Sequence, residues 1–211
     1  KIITYGLSSQ SDLQAIDPVF ENNKSSYTLL YKGRNFGRIE LNVPGLHNIK
    51  NSLAAIATAL ELNVPIETIK KAIKSFTGVY RRFEIKAEIG NIMVVDDYAH
   101  HPTEVEASLL AAKTGWKKRI VAIFQPHTYT RTRDFFEEFG KSFFNADMLI
   151  VTDIYPAREE PIQGVDGNLI AEAAKKFGHK NVHYIKDKEN VPEFLLKNIG
   201  KDDLVITLGA G

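Results

Sequence analysis

The chain has 211 residues, 44% of them apolar and 25% charged, with a net charge of +1 and no cysteine. That length suits one large domain or two small ones with an ordinary globular balance. It excludes a disulfide framework, a thiolate metal centre and a one-signed field aimed at nucleic acid or an anionic membrane, and no apolar run approaches the roughly 18 residues of a membrane-spanning helix. Absent cysteines fit a reducing compartment. The opening KIITYGLSSQ reads as neither a secretory signal nor a transit peptide, and both ends look cut.

Residues 1–45 carry short β-type runs, IITY, AIDPVF, SYTLLY and NFGRIELNV, separated by turn material. They predict a small, mostly antiparallel meander. HNIKNSLAAIATALEL follows, with Ile49, Leu53, Ile56 and Leu60 at helical spacing. A second helix is expected from Ile66 to Phe76. Gly78 is a plausible hinge, so the expected domains are 1–77 and 78–211.

Beyond the hinge the text alternates. FEIKAEI and NIMVVDD predict a hairpin leading into a buried strand. PTEVEASLLAAK is a helix with Pro102 in its first turn. RIVAIF, DMLIVTDIY, NVHYI and DLVITL read as strands, interleaved with helices TRDFFEEFGKSFFN, GNLIAEAAKKFG and VPEFLLKNI. KKR at 117–119 is a solvated turn. The pattern predicts an α/β fold, a mostly parallel sheet with helices on both faces, and ligands at the carboxyl ends of its strands.

Three successive strand ends carry polar groups: Asp96, Asp97, Tyr98, His100 and His101 after the first, Arg131 after the second, and Asp153, Tyr155 and Arg158 after the third. Each has a bland reading. Asn48 and Asn51 lie one helical turn apart; carboxamides suit a purine edge, but Asn48 also suits a helix cap. Arg81 and Arg82 suit phosphate, or a surface ion pair; on extended chain at most one faces a given site. The adjacent histidines of DDYAHH cannot share the face that H-x-x-x-H offers a metal, so no metal ligand is assigned. A strand-end carboxylate suits a ribose hydroxyl, and His100 suits proton handling. His101 can instead cap the next helix while the aspartates pair locally. QPHTYTRTRD reads as a polar loop of nine or ten residues, with Arg131 and Arg133 at a helix start, where the dipole does not favour cations. The phenylalanines 135, 136, 139 and 143 read as a core stripe. YPAREEPIQGVDG is a surface loop that admits a lid. No G-x-x-x-x-G-K-[ST] loop occurs.

In order along the chain, GLHNIKNSLAAIA, FTGVYRRFE, VVDDYAHHPTEV, FQPHTYTRTRDFFEEF and DIYPAREEPIQGVDG resemble the Mur ligases, cytoplasmic ATP-dependent amide ligases of peptidoglycan synthesis. Among these, DDYAHHPTE with FQPHTYTRT resembles the members that join L-alanine to UDP-N-acetylmuramate; the murein tripeptide recycling ligases share DD(F/Y)AHHP but lack FQPHTYTRT. The resemblance implies a Rossmann-like C-terminal domain preceded by the end of a central ATP-binding domain. It implies that a UDP-binding domain, a GTHGKT phosphate loop and most ligands of Mg2+ belong to parts outside this chain, which alone is expected to be inactive. It implies adenine contacts for Asn48 and Asn51, phosphate contact for Arg82, a ribose contact for Asp97, and an amino-acid end lined by Tyr98, His100 and Arg131. His100 and Arg82 are the candidate catalytic groups, ATP is the cofactor, L-alanine and UDP-N-acetylmuramate are the small-molecule partners, and domain closure assembles the site. Some relatives carry a further arginine where this chain has Thr128. The residues alone also admit a stand-alone nucleotide-binding module and a metal-dependent hydrolase.

Overall fold

The structure is a computed structural model and describes residues 2–211. It divides into two units. One runs to Gly78 and includes Thr114–Trp116; the other comprises Val79–Lys113 and Lys117–Gly211.

In the first unit, β1 (Tyr5–Gly6), β2 (Leu13–Glu21), β3 (Lys24–Tyr31) and β4 (Arg34–Leu41) form one sheet in that order. The three long strands are an antiparallel meander, and β1 adds in parallel. Lys32 and Gly33 both take positive φ between β3 and β4, the primed turn that matches strand twist. Alternate residues Leu13, Ala15, Tyr27, Leu29, Ile39 and Leu41 point to one face. They meet α1 (Leu46–Glu61) through Ile49, Leu53 and Ile56, and α2 (Ile66–Ser75) through Ile69. Buried Tyr27 shares a hydrogen bond of 2.8 Å with the Ser52 hydroxyl, and burial pushes its phenol up to about 12.

The second unit holds a six-stranded sheet. Its elements are β5 (Glu84–Ile89), β6 (Ile92–Asp97), α3 (Pro102–Gly115), β7 (Arg119–Phe124), α4 (Tyr129–Ser142), β8 (Met148–Val151), α5 (Gly167–Lys176), β9 (Val182–Tyr184), α6 (Val191–Asn198) and β10 (Asp203–Leu208). The strand order is β5-β6-β10-β7-β8-β9. β5 is the antiparallel edge, and the other five strands run parallel. The last strand in sequence therefore lies between the first two parallel ones. Residues of one parity, Val121, Met148, Ile150 and Val205, pack with Val191, Phe194 and Leu195 of α6. On the other face the Phe124 ring lies 5.0 Å from Phe139 and 5.3 Å from Phe143. α4 and α5 pack closely because Gly140 lacks a Cβ; one there would lie 2.8 Å from the Ala173 Cβ. The α/β class, the mostly parallel sheet and helices on both faces are as expected. No helix among the described residues is long and apolar enough to cross a membrane.

Several local expectations are corrected. The QPHT loop is short, because α4 already starts at Tyr129. Its cap is Thr128, held at φ 69° with the hydroxyl accepting from the Arg131 amide. DMLIVTDIY is a strand only to Val151. The phenylalanine stripe is half core: Phe139 and Phe143 are buried, whereas Phe135 breaks the helical dihedrals, is 37% exposed and sits edge-on to His101 at 5.3 Å.

Candidate functional site at the strand ends

The carboxyl ends of β6, β10, β7 and β8 bring distant residues together. β6 ends in Asp96 and Asp97, and both are fully engaged. Asp97 is only 4% exposed. Its Oδ2 accepts from the Phe83 amide at 3.1 Å and the Ser108 hydroxyl at 2.7 Å, and its Oδ1 from the Ala99 amide at 2.9 Å. Burial pushes its carboxyl up, and the three donors with Arg82 pull it back only in part. The side chain, for which a ribose contact is expected, ties the strand end to α3 and to the Arg81–Phe83 turn and offers almost no surface. Asp96 accepts from Arg81 Nε at 2.8 Å and from the Thr207 hydroxyl at 2.8 Å.

The two arginines do not lie on extended chain. Arg81 and Phe83 have φ of 55° and 47°, so the segment coils. Both guanidinium groups consequently approach one ring: Cζ of Arg81 lies 5.2 Å and Cζ of Arg82 5.7 Å from the centre of Tyr98. This overturns the expectation that only one of them serves a site. Arg82 is half exposed and its nearest carboxylate is Glu104, at 3.5 Å. Glu104 also accepts from the His100 amide at 3.0 Å. It stands in the first turn of α3, where a carboxylate complements the dipole. Sequence reasoning passed over Glu104, although its place two residues after Pro102 carried that signal.

Beyond Tyr98 a ribbon of rings crosses the strand ends. Tyr98 and His100 are 5.1 Å apart, His100 and His127 5.8 Å, and His127 and Tyr155 5.8 Å in a stacked pair. A parallel bridge between His127 and Tyr155 fixes the last step. His100 Nδ1 lies 2.8 Å from the Tyr98 carbonyl, which can only accept. The proton therefore sits on Nδ1, and Nε2 is the free acceptor. His127 is the reverse. Its Nδ1 lies 3.1 Å from Arg131 Nη1, which can only donate, so Nε2 carries the proton. Burial lowers the His127 pKa, and the charge of Arg131 lowers it further. His127 was not singled out in the sequence; its signal was the position just past a buried strand.

His101 keeps its bland role, its Nδ1 taking the Thr103 amide at 3.4 Å. Arg133 pairs with Asp134 at 2.7 Å. Asp153 accepts from the Gly167 amide at 3.2 Å and so steadies the start of α5. Glu159 holds the loop after β8 against α4 by accepting from the Thr130 amide at 2.9 Å, an anchor at odds with a free lid. In the first unit Asn48 is not the helix cap: Gly45 is, at φ 92°, and Asn48 Nδ2 donates to the Pro44 carbonyl at 2.8 Å. Asn51 is exposed on α1. No cluster of three or more His, Cys, Asp or Glu able to hold a metal occurs among the described residues.

The strand ends of this α/β domain gather imidazoles, a tyrosine and arginines at the edge where parallel sheets generally hold ligands. The chain belongs to the Mur ligase family: residues 81–211 match the Mur ligase, glutamate ligase domain, and residues 1–59 the Mur ligase middle domain. It is 49% identical over 211 residues to a UDP-N-acetylmuramate–L-alanine ligase of Geotalea daltonii, covering 100% of this chain and 46% of that protein. It is 51% identical over 208 residues to the ligase of that name from Geotalea uraniireducens, covering 99% of this chain and 45% of that protein. The crystal structure of a UDP-N-acetylmuramate–alanine ligase from Thermotoga maritima superposes with a TM-score of 0.83 at 27% identity, covering 99% of this chain and 44% of that one. The chain thus spans about half the length of the curated relatives it matches.

Proposed function

We propose that this chain is the part of an ATP-dependent amide ligase that receives the incoming amino acid, L-alanine, for transfer to UDP-N-acetylmuramate in peptidoglycan synthesis. The observation that carries the reading is the pairing of opposite hydrogen-bonding faces at the strand ends: a free acceptor on His100 beside a donor on His127 and the Arg131 guanidinium. An α-amino acid presents an amine and a carboxylate, and each finds its complement there.

The reaction activates the muramyl carboxylate as an acyl phosphate, which the amine of alanine attacks. The protein's task is positioning and charge neutralisation more than covalent chemistry. Arg131 holds the carboxylate of alanine with a charge-assisted hydrogen bond. His100 Nε2 orients the amine and can take its proton, which must leave before attack. Arg82, half exposed and loosely paired, is the arm for phosphate charge. Asn48 and Asn51 serve an adenine edge, with the Asn48 oxygen left to accept. The 211 residues contain no G-x-x-x-x-G-K-[ST] loop, and Mg2+ finds no ligand cluster among the described residues. The chain alone is expected to ligate nothing.

The test is steady-state kinetics on the full-length protein. Arg131→Ala is expected to raise the KM for L-alanine by roughly 10–100-fold, as losing a charged hydrogen bond implies. Arg82→Ala should weaken ATP use instead. Unchanged kinetics in both variants reject these roles, and preference for murein tripeptide over L-alanine rejects the substrate.

A further inference from the structure

The structure assigns Arg81 as a positioning residue: it holds the Tyr98 ring, and the ring in turn sets Arg82 and His100. Arg81 is gripped from several sides. Its Nε donates to Asp96 at 2.8 Å and its Nη2 to the Gly209 carbonyl at 3.0 Å. Its own carbonyl accepts from the Tyr98 amide at 2.7 Å. The second oxygen of Asp96 is fixed by Thr207, so the guanidinium is bolted to the ends of β6 and β10 together. Its charge is answered by Asp96, which leaves it poorly suited to an incoming anion. What remains is its cation–π contact, Cζ lying 5.2 Å from the centre of the Tyr98 ring.

Tyr98 is 37% exposed and would swing freely without a backing. With Arg81 fixed, the ring has two cations near it, at 5.2 and 5.7 Å, and His100 packs edge-on at 5.1 Å. Arg82 gains a defined direction from the ring, since its one carboxylate partner is at 3.5 Å. The two adjacent arginines thus divide the work: Arg81 is neutralised and structural to the site, Arg82 is exposed and available.

The kinetic consequence rests on the ligase reading, in which Tyr98 and His100 border the amino acid. In the full-length enzyme, Arg81→Ala should raise the KM for L-alanine about tenfold, the scale of a lost cation–π contact with its orienting ion pair. The KM for ATP should rise as well, since Arg82 loses the ring that directs it. Arg81→Lys should not rescue, because an ammonium lacks the fork that reaches Asp96 and Gly209 at once beside the ring. An unchanged KM for L-alanine, or a lower active fraction with unchanged KM values, overturns the assignment. A second readout needs no activity. In the 211-residue chain, the Hδ protons of Arg81 and Arg82 should show an upfield ring-current shift by NMR that Tyr98→Ala abolishes. Arg81→Ala should abolish the Arg82 shift as well; its survival overturns the proposal. A wild-type enzyme that ligates no L-alanine defeats the functional reading alone, and the NMR result then decides Arg81.

Discussion

Replacing Asp97 with alanine tests whether the strand-end site has a buried foundation. The substitution strands three donors, the amides of Phe83 and Ala99 and the Ser108 hydroxyl. Each unpaired buried donor costs about 1–3 kcal/mol. Removing a desolvated charge returns part of that, and the neighbouring backbone relaxes. A net loss of about 3 kcal/mol is expected, at the lower end of what breaking one side of a buried charged network costs. For a protein of this size that is a fall in Tm of roughly 6–12 °C. Urea denaturation followed by far-UV circular dichroism measures it. Asp97→Asn should lose less, because it keeps one acceptor oxygen. The asparagine variant also isolates the ionisation. Burial raises the Asp97 carboxyl above 3.8, so between the unfolded and folded values the native state holds the proton longer. Its contribution to stability is present at low pH and falls as pH rises through the folded pKa. Subtracting the Asp97→Asn profile should expose that downward slope just above pH 3.8. A loss below about 1 kcal/mol for Asp97→Ala, within reach of ordinary surface changes, refutes the latch.

Gly167→Ala should destabilise by about 1–3 kcal/mol or more through overpacking, since its Cβ would lie 2.0 Å from the Thr152 carbonyl oxygen. Gly200→Ala, whose nearest neighbour would be 3.9 Å away, is the near-neutral control in the same melt. His127 should titrate below 6.5 by NMR. Because the unfolded chain protonates first, its contribution is lost as pH falls from 6.5 toward the folded value; a midpoint above 6.5 contradicts the tautomer drawn from Arg131.

Elements with strong periodicity were legible before any coordinates. Ile49, Leu53 and Ile56 mark α1, and the alternation from Phe83 onward marks the parallel sheet. The convergence of His100 and Arg131 was also visible, because parallel strands point their carboxyl ends one way. Three things were hidden for physical reasons. Left-handed backbone at Arg81 and Phe83 leaves no trace in residue type, so the turn that gathers both arginines looked like extended chain. Burial of Asp97 depends on Ser108, one helix away, and a carboxylate beside three donors reads in sequence like one beside a ligand. Strand order is a tertiary fact: nothing in DLVITL says that it enters between NIMVVDD and RIVAIF.

That insertion has a consequence for how the molecule is made. β10 supplies the middle of its sheet but follows the sheet's other five described strands in sequence. Until it emerges from the ribosome, β6 and β7 each present an open edge toward a gap, and half of the inner face has nothing to rest on. Pairings across more than a hundred residues of sequence are slow to form and exposed to aggregation. The sheet therefore closes around a keystone, and its open edges call for protection until that stone is set.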